Sequence, residues 1–243
     1  MPYEQRKTTT RAQIVNLMIE LIIEEGLSKV THNRLAKELD LAKANVLYYF
    51  PSKEHMLAVL VKELCWFEQK MMEDEISSGK SDLLSYCLEL TAMAAICEED
   101  AAAKEFYVSA YTFPMTLQLI RDNDVKKTRD VFSEFCPEWS EERWREAENI
   151  VSGIEYGTIT TTEENTPLAL QIEATLNTVM KIYNVPEELR RQKIAKVLDT
   201  DYRALGRRIL KEFKDYIKMT SQDALDEARR THKPSRWDRR RPV

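Results

Sequence analysis

Residues 31–50, THNRLAKELDLAKANVLYYF, decide the fold of the N-terminal part of this chain. Leu35 and Ala36 lie on one apolar face of a first short helix, and residues 43–49 are predicted to form a second. Between them stands Asp40, one of the few residue types besides glycine that tolerate a positive φ angle. Two short helices joined by such a tight turn predict a helix-turn-helix.

Three positions in this stretch meet the steric demands of that motif. Ala36 is small where the two helices cross closely, and Asp40 occupies the turn. Val46, six residues later, is apolar where the second helix must pack back on the first. Thr31 is the predicted N-cap of the first helix. Many short helix pairs in α-helical proteins share these features, so the flanking residues have to decide.

The flanks make the pattern more specific. A helix predicted from Arg11 to Glu25, with Thr10 as its N-cap, ends at Gly26, and residues 46–53 read VLYYFPSK before a long helix that starts at Lys53. Over residues 8–60 this arrangement resembles the TetR family of transcriptional regulators, many of which carry L-Y-x-H-F-x-S-K at this point. Beyond those residues, about a fifth of the chain, only the helical layout and the length agree.

The sequence departs from the family pattern at three places. Ala44 replaces the usual small glycine of the recognition helix, Asp40 replaces a glycine in the turn, and Leu47 replaces a tyrosine that often contacts phosphate. Tyr48 is therefore the phenol expected near the DNA backbone.

The resemblance implies that the second short helix reads DNA. Asparagine can form two hydrogen bonds with adenine, lysine can donate to guanine, and a helix N-terminus can hold a phosphate. Asn45 has the alternative of contacting phosphate or capping the helix, and Lys43 that of a solvated charge. The residues expected to contact DNA are Thr31, Asn33, Arg34, Lys43, Ala44, Asn45, Tyr48, Tyr49 and Lys53.

The rest of the chain is predicted to be all-α. Only 5 of 243 residues are glycine, whereas sheets and Rossmann folds need many glycine turns. We expect a three-helix DNA-binding domain at 8–55, a larger helical ligand-binding and dimerisation domain at 56–232, and a basic tail at 233–243. The helices predicted after the long one span 82–99, 101–112, 114–121, 124–135, 140–162, 167–183, 185–218 and 223–230.

Charge is distributed unevenly along the chain. Residues 1–55 carry a net charge of +1, residues 56–228 carry −12 and residues 229–243 carry +6. An acidic body argues against nucleic acid binding over the whole surface. It favours a cationic ligand, or it keeps this half of the protein away from DNA.

Several classes of protein are disfavoured. No apolar run approaches the ~20 residues that cross a membrane, so a cytoplasmic protein without a membrane partner is expected. Four dispersed cysteines and three histidines give no metal-site spacing, so no metal and no cofactor are expected,. The motifs of serine hydrolases, zinc proteases and nucleotide-binding loops are missing, which disfavours an enzyme.

Small residues and aromatic residues mark the expected interfaces of the helical domain. Small residues spaced by four in the helix from Ser140 allow a partner helix to come close. The apolar face of the helix predicted at 185–218 can complete a dimer interface. The alternative is that both helices pack within one subunit. The dimer residues expected are Gly153, Gly157, Thr161, Leu198, Leu205 and Ile209.

Aromatic side chains suit a pocket for a small apolar ligand, although aromatic stripes on helices also form plain hydrophobic core. The pocket residues expected are Trp66, Phe67, Met93, Phe106, Tyr107, Tyr111 and Phe113.

The resulting hypothesis is a dimeric one-component transcriptional regulator. It is expected to be a repressor that binds an inverted-repeat operator in double-stranded DNA and is released by a small-molecule effector. The long helix from Lys53 to Ile76 is expected to couple the two domains. The alternative is a helical ligand-binding or interaction protein whose helix-turn-helix only packs. The basic tail has three interpretations: a DNA-contacting arm, a segment packed on the acidic body, or a solvated terminus.

Overall fold

The computed structural model describes residues 2–77, 81–162 and 166–231, and all regular structure in them is helical. This confirms the all-α prediction. Two short 3-10 turns, Leu27–Lys29 and Ser133–Phe135, accompany the α-helices. The α-helices are α1 (Pro2–Glu25), α2 (His32–Glu38), α3 (Lys43–Tyr49), α4 (Lys53–Ser77), α5 (Asp82–Glu99), α6 (Ala101–Thr112), α7 (Pro114–Phe132), α8 (Glu141–Thr160), α9 (Leu168–Ile182), α10 (Glu187–Leu198) and α11 (Tyr202–Thr231).

Helices α2 and α3 form the predicted helix-turn-helix. The Thr31 hydroxyl accepts a hydrogen bond from the Arg34 backbone N–H at 3.1 Å, as an N-cap does,. Asp40 adopts a φ angle of 52° in the turn, and the N–H of the next residue donates to the Ala36 carbonyl at 2.8 Å. Val46 is completely buried. The sequence pattern therefore located both helices and the turn that joins them.

Three helix boundaries differ from the predictions. α1 begins at Pro2, so Thr10 lies inside the helix and does not cap it. α7 runs unbroken where a boundary near residue 122 was predicted. The helix predicted from 185 to 218 is instead broken after Leu198, and α11 continues through the predicted gap before Asp223. Polar residues that favour caps are also tolerated within helices, so spacing alone did not place these ends.

The break between α10 and α11 has a local cause. The Thr200 hydroxyl donates to the Val197 carbonyl at 2.6 Å, at the end of α10. The Asp201 carboxylate then accepts from the Ala204 N–H at 2.9 Å, which caps α11. Threonine and aspartate compete for backbone hydrogen bonds in this way at helix ends.

Helix α5 is the centre of the larger domain. Most of its residues are buried, from Leu83 to Cys97, and the remaining helices surround it. α11 crosses it closely at Gly206, where an added Cβ would lie 3.2 Å from the Ala95 Cβ and 3.3 Å from the Ala92 carbonyl oxygen. A glycine at this position therefore permits the close packing of α11 on α5.

Helix α11 also packs along α1, which connects the two parts of the molecule. The Ser221 hydroxyl donates to the Asn16 side-chain oxygen at 3.1 Å. The Lys218 ammonium lies 3.0 Å from the Glu24 carboxylate. The last helix thus contacts both the core of the larger domain and the first helix of the helix-turn-helix unit. The predicted basic tail at 233–243 lies outside the described residues.

Candidate DNA interface and ligand cavity

The N-terminal half of α3 presents its side chains to solvent. Lys43, Ala44 and Asn45 are all exposed, whereas Val46 on the opposite face is buried in the core. A helix that packs by one apolar residue leaves its polar face free to enter a major groove. The geometry is thus compatible with base contacts by the residues predicted to make them.

The C-terminal half of α3 carries two tyrosines. Tyr48 is 63% exposed, and its ring meets that of half-buried Tyr49 edge-on, with 5.1 Å between ring centroids. The His32 Nε2 atom lies 2.6 Å from the Phe50 carbonyl oxygen, which links the start of α2 to the end of α3. Sequence reasoning missed this contribution of His32, because the two residues lie 18 positions apart.

Two of the basic residues predicted to contact DNA are engaged within the protein. The Arg34 guanidinium forms a bidentate ion pair with Glu25, at 2.6 and 2.7 Å, and a further hydrogen bond to Glu38. The Lys53 ammonium donates to the carbonyls of Leu27 and Ser28 at 2.9 and 3.3 Å. Their predicted phosphate contacts stay predictions, and they require these bonds to be shared or exchanged. Thr31 and Asn33 are exposed at the start of α2.

A cavity of about 50 Å³ that opens to solvent lies where α1, α4, α5, α6 and α11 meet. Its wall is mainly apolar and aromatic. Four of the predicted pocket residues line it: Phe67, Met93, Phe106 and Tyr107. Sequence reasoning missed the contributions of Ile22 and Ile23 from α1 and of Ile209, Leu210 and Phe213 from α11.

Three other predicted pocket residues lie elsewhere. Tyr111 lines a smaller adjoining cavity, where its hydroxyl donates to the Glu155 carboxylate at 2.9 Å. Trp66 is 69% exposed on the outer face of α4, and Phe113 marks the α6–α7 junction. Neither Trp66 nor Phe113 lines the cavity, so their assignment to the pocket is corrected. Both are close in sequence to the cavity wall, but Trp66 lies on the solvent side of α4 and Phe113 lies beyond the end of α6.

Next to the cavity, the helical domain buries an unusual number of carboxylates. Asp124, Glu148 and Glu155 offer oxygens that all lie within 4.8 Å of one another. Burial and the nearby Asp124 raise the pKa of Glu148 to about 8,. Burial and Glu148 raise the pKa of Glu155 well above its ordinary value,. These groups come from α7 and α8, and no spacing in the sequence marked them as neighbours.

Helices α8 and α9 leave one side of the larger domain uncovered. Gly153 and Gly157 are exposed, with no atom within 4 Å of an added Cβ. Ile150 on α8 is 46% exposed and Leu170 on α9 is 55% exposed, which is high for such large apolar residues. The two helices are joined by a 2.7 Å hydrogen bond between the hydroxyls of Thr158 and Thr175.

The predicted dimer residues that lie outside α8 are less exposed than the glycines of α8. Ile209 is 8% exposed and lines the cavity, and Leu205 packs against the core. Leu198 belongs to α10, a different helix. Ile209 is therefore corrected from the expected dimer surface to packing within one chain, whereas the partly exposed Leu198 and Leu205 stay predictions for the interface. Thr161 caps the end of α8, near the exposed glycines.

A protein-family model agrees with the placement of the helix-turn-helix. Residues 14–60 match the family model described as bacterial regulatory proteins, tetR family. No curated protein matches the chain. Among solved structures, the chain is similar to one described as the crystal structure of a gamma-butyrolactone receptor (ArpA like protein). That similarity has 14% identity and a TM-score of 0.41, and it covers 85% of this chain and 98% of the other.

Proposed function

We propose that this chain, whose residues 14–60 carry the DNA-binding domain of the tetR family of bacterial regulatory proteins, is a dimeric transcriptional repressor. It binds an inverted-repeat operator and leaves it when a small molecule fills the cavity of the helical domain. The proposed base-reading residues are Lys43, Ala44 and Asn45, on the exposed start of α3. Asn33, Thr31 and Tyr48 are the proposed phosphate contacts around them.

The position of the cavity is the observation that carries this proposal. Its wall includes Ile22 and Ile23 of α1, the helix against which the helix-turn-helix packs, together with Leu60 and Leu64 of α4. A ligand in the cavity therefore touches the DNA-binding domain directly. If it fits the DNA-free arrangement better by about 1–3 kcal/mol, operator affinity falls about 5- to 150-fold.

We propose that α1 and α11 couple the two domains together with α4. α11 lines the cavity with Phe213 and, two turns later, contacts Asn16 of α1 through Ser221. The sequence had suggested α4 alone as the connecting element. We propose that a ligand shifts α1, α4 and α11 together, because all three form the cavity wall.

The proposed partner for the exposed side of α8 and α9 is a second copy of this chain. The glycines at 153 and 157 leave room for a partner helix, and Ile150 and Leu170 supply apolar surface beside them. A two-fold dimer of this kind presents its recognition helices about one DNA turn apart, about 34 Å, and so selects an inverted repeat.

Selection of binding sites from random double-stranded DNA tests the proposed function. We expect enrichment of an inverted repeat and a binding constant that falls steeply with salt. Enrichment of no sequence, with only weak and sequence-independent binding, would contradict it and favour the alternative of a helical interaction protein without specific DNA binding.

Gly157→Leu tests the proposed dimer surface by light scattering. The added side chain has open space within the subunit, so the variant should fold and remain monomeric. Lys196→Leu, at an exposed position of α10, is the matched control and should not change the mass. A normal dimer from Gly157→Leu would remove α8 from the interface.

A further inference from the structure

The space around the cavity contains more acidic than basic groups. Glu68 and Glu89 line the cavity itself, and the adjoining smaller cavity shares both of them. Asp124 and Glu155 line that smaller cavity, and Glu148 lies next to them. Charged groups buried in this way need partners of opposite sign, since desolvation is otherwise costly.

The basic groups nearby are already engaged. The Lys127 ammonium lies 2.6 Å from Glu89 and 2.9 Å from Asp124, and its side chain is only 13% exposed. Lys214 lines the cavity, but its ammonium lies 3.0 Å from Asp100. Arg121 donates to the Ser152 hydroxyl at the edge of the acidic group. Tyrosine hydroxyls supply hydrogen bonds to Glu148 and Glu155, but they supply no charge.

Glu68 is a half-buried acidic group that lacks a direct ion pair. Within the described residues it makes no hydrogen bond, and the Lys127 ammonium, which binds Glu89 and Asp124, acts on it only through space. Burial and the neighbouring Glu89 raise the pKa of Glu68 well above its ordinary value,. A positive charge brought next to this carboxyl group favours its ionised form, and the carboxyl groups behind it add to the attraction.

The rest of the wall suits the apolar part of such a ligand. The rings of Phe67 and Phe213 lie with their centroids 5.4 Å apart, and those of Phe106 and Tyr107 are equally close. Aromatic faces attract a cation within about 6 Å of the ring centre, most strongly where water is excluded. The remaining lining is aliphatic, including Leu60 and Ile209.

We propose that the effector is an organic cation, with its ammonium group beside Glu68 and its apolar body among Phe67, Phe106 and Phe213. This inference rests on the proposed function, because it assigns a chemical class to the ligand of that cavity. A neutral ligand leaves the Glu68 carboxyl group unpaired, and an anion adds a negative charge to an acidic site.

Three probes that share a benzyl group test the charge requirement. They are the benzyltriethylammonium ion, its neutral analogue with carbon in place of nitrogen, and the phenylmethanesulfonate anion. Binding to the full chain is measured by isothermal titration calorimetry. We expect the ammonium ion to bind most tightly and the sulfonate not to bind.

Glu68→Gln should weaken binding of the ammonium ion roughly 30-fold or more, because it removes the group that pairs with the charge. Its affinity for the neutral analogue should not fall. Glu63→Gln is the matched control on the same helix, where the glutamine oxygen can still accept the hydrogen bond from the Tyr216 hydroxyl. This control should bind all three probes as the unaltered chain does.

The other outcomes separate the two hypotheses. If the neutral analogue binds as tightly as the ammonium ion, the charge assignment is wrong and the cavity remains a ligand site. If none of the three probes binds, both the assignment and the cavity as an effector site are contradicted. Binding of Mn²⁺ alone, lost in Glu155→Gln, would instead assign the acidic group to a metal ion.

Discussion

The helix-turn-helix unit and the larger helical domain differ in where their polar side chains lie. In residues 9–50 every buried side chain is apolar, and the polar groups of α2 and α3 face solvent or pair near the surface. The larger domain buries Glu89, Asp124, Glu148 and Glu155 beside its cavity. The first arrangement suits a rigid platform that presents polar groups to a partner. The second arrangement buries ionisable groups beside the cavity, so that a bound ligand can change their electrostatic free energy.

The sharpest test of this contrast is Lys127→Met. It removes the ammonium group that pairs with Glu89 and Asp124 and leaves buried carboxylates unpaired. We expect the free energy of unfolding to fall by about 3–5 kcal/mol. Lys126→Met, at the exposed neighbouring position, should change it by less than about 0.5 kcal/mol. Equal stabilities of the two variants in chemical denaturation would mean that the buried charges are dispensable.

The stability of the helix-turn-helix unit is instead expected to depend on apolar packing. Leu35 is completely buried, and Leu35→Ala should cost about 2–5 kcal/mol,. Hydrogen exchange should then accelerate in α2 and α3 and remain slow in α5. Leu47→Ala, at a residue 37% exposed, is the control and should leave exchange unchanged. Loss of protection throughout both domains would show that they unfold as one unit.

A smaller effect is expected where the polar surface of α3 meets DNA. Asn45→Ala should relax base preference at one position of each half-site by about 1–3 kcal/mol and leave stability unchanged. Asn33→Ala, at a proposed phosphate contact, should lower affinity equally for all sequences. An equal loss across all sequences for Asn45→Ala would reassign Asn45 to the DNA backbone.

A gradual effect, small over any one pH unit, is expected from the titration of the larger domain. The pKa of Glu148 is about 8 in the folded protein against 4.5 for a free side chain. Between these values the folded protein holds a proton that the unfolded chain has released, so stability decreases as pH rises. Glu148→Gln should remove up to about 1.4 kcal/mol of this decrease per pH unit.

The control for the pH dependence is Glu146→Gln, at an exposed position two residues earlier on the same helix. It should leave the slope of stability against pH as it is in the unaltered chain. An unchanged slope in Glu148→Gln as well, measured by urea denaturation from about pH 5 to 8, would assign the dependence to other groups.

Local signals in the sequence were sufficient for the helix-turn-helix. Its cap at Thr31, its turn at Asp40 and its packing residue Val46 lie within sixteen positions, so spacing and backbone preference specify them. The same signals placed α5 and α6 at their observed ends. Where helix-forming residues continue past a capping residue, as in α1 and α7, the local signal favoured the wrong boundary.

Only the tertiary structure decided which faces of the later helices meet. Glu155 and Tyr111 lie 44 positions apart, and Ser221 and Asn16 lie 205 apart, yet each pair is within hydrogen-bond distance. The apolar face of α11 had two possible partners, a second subunit or α5, and only the folded chain shows that it packs closely on α5 at Gly206. Helical periodicity fixes which residues share a face, but it carries no information on what covers that face. The cavity, its acidic neighbours and the exposed side of α8 therefore emerged only from the packing of whole helices.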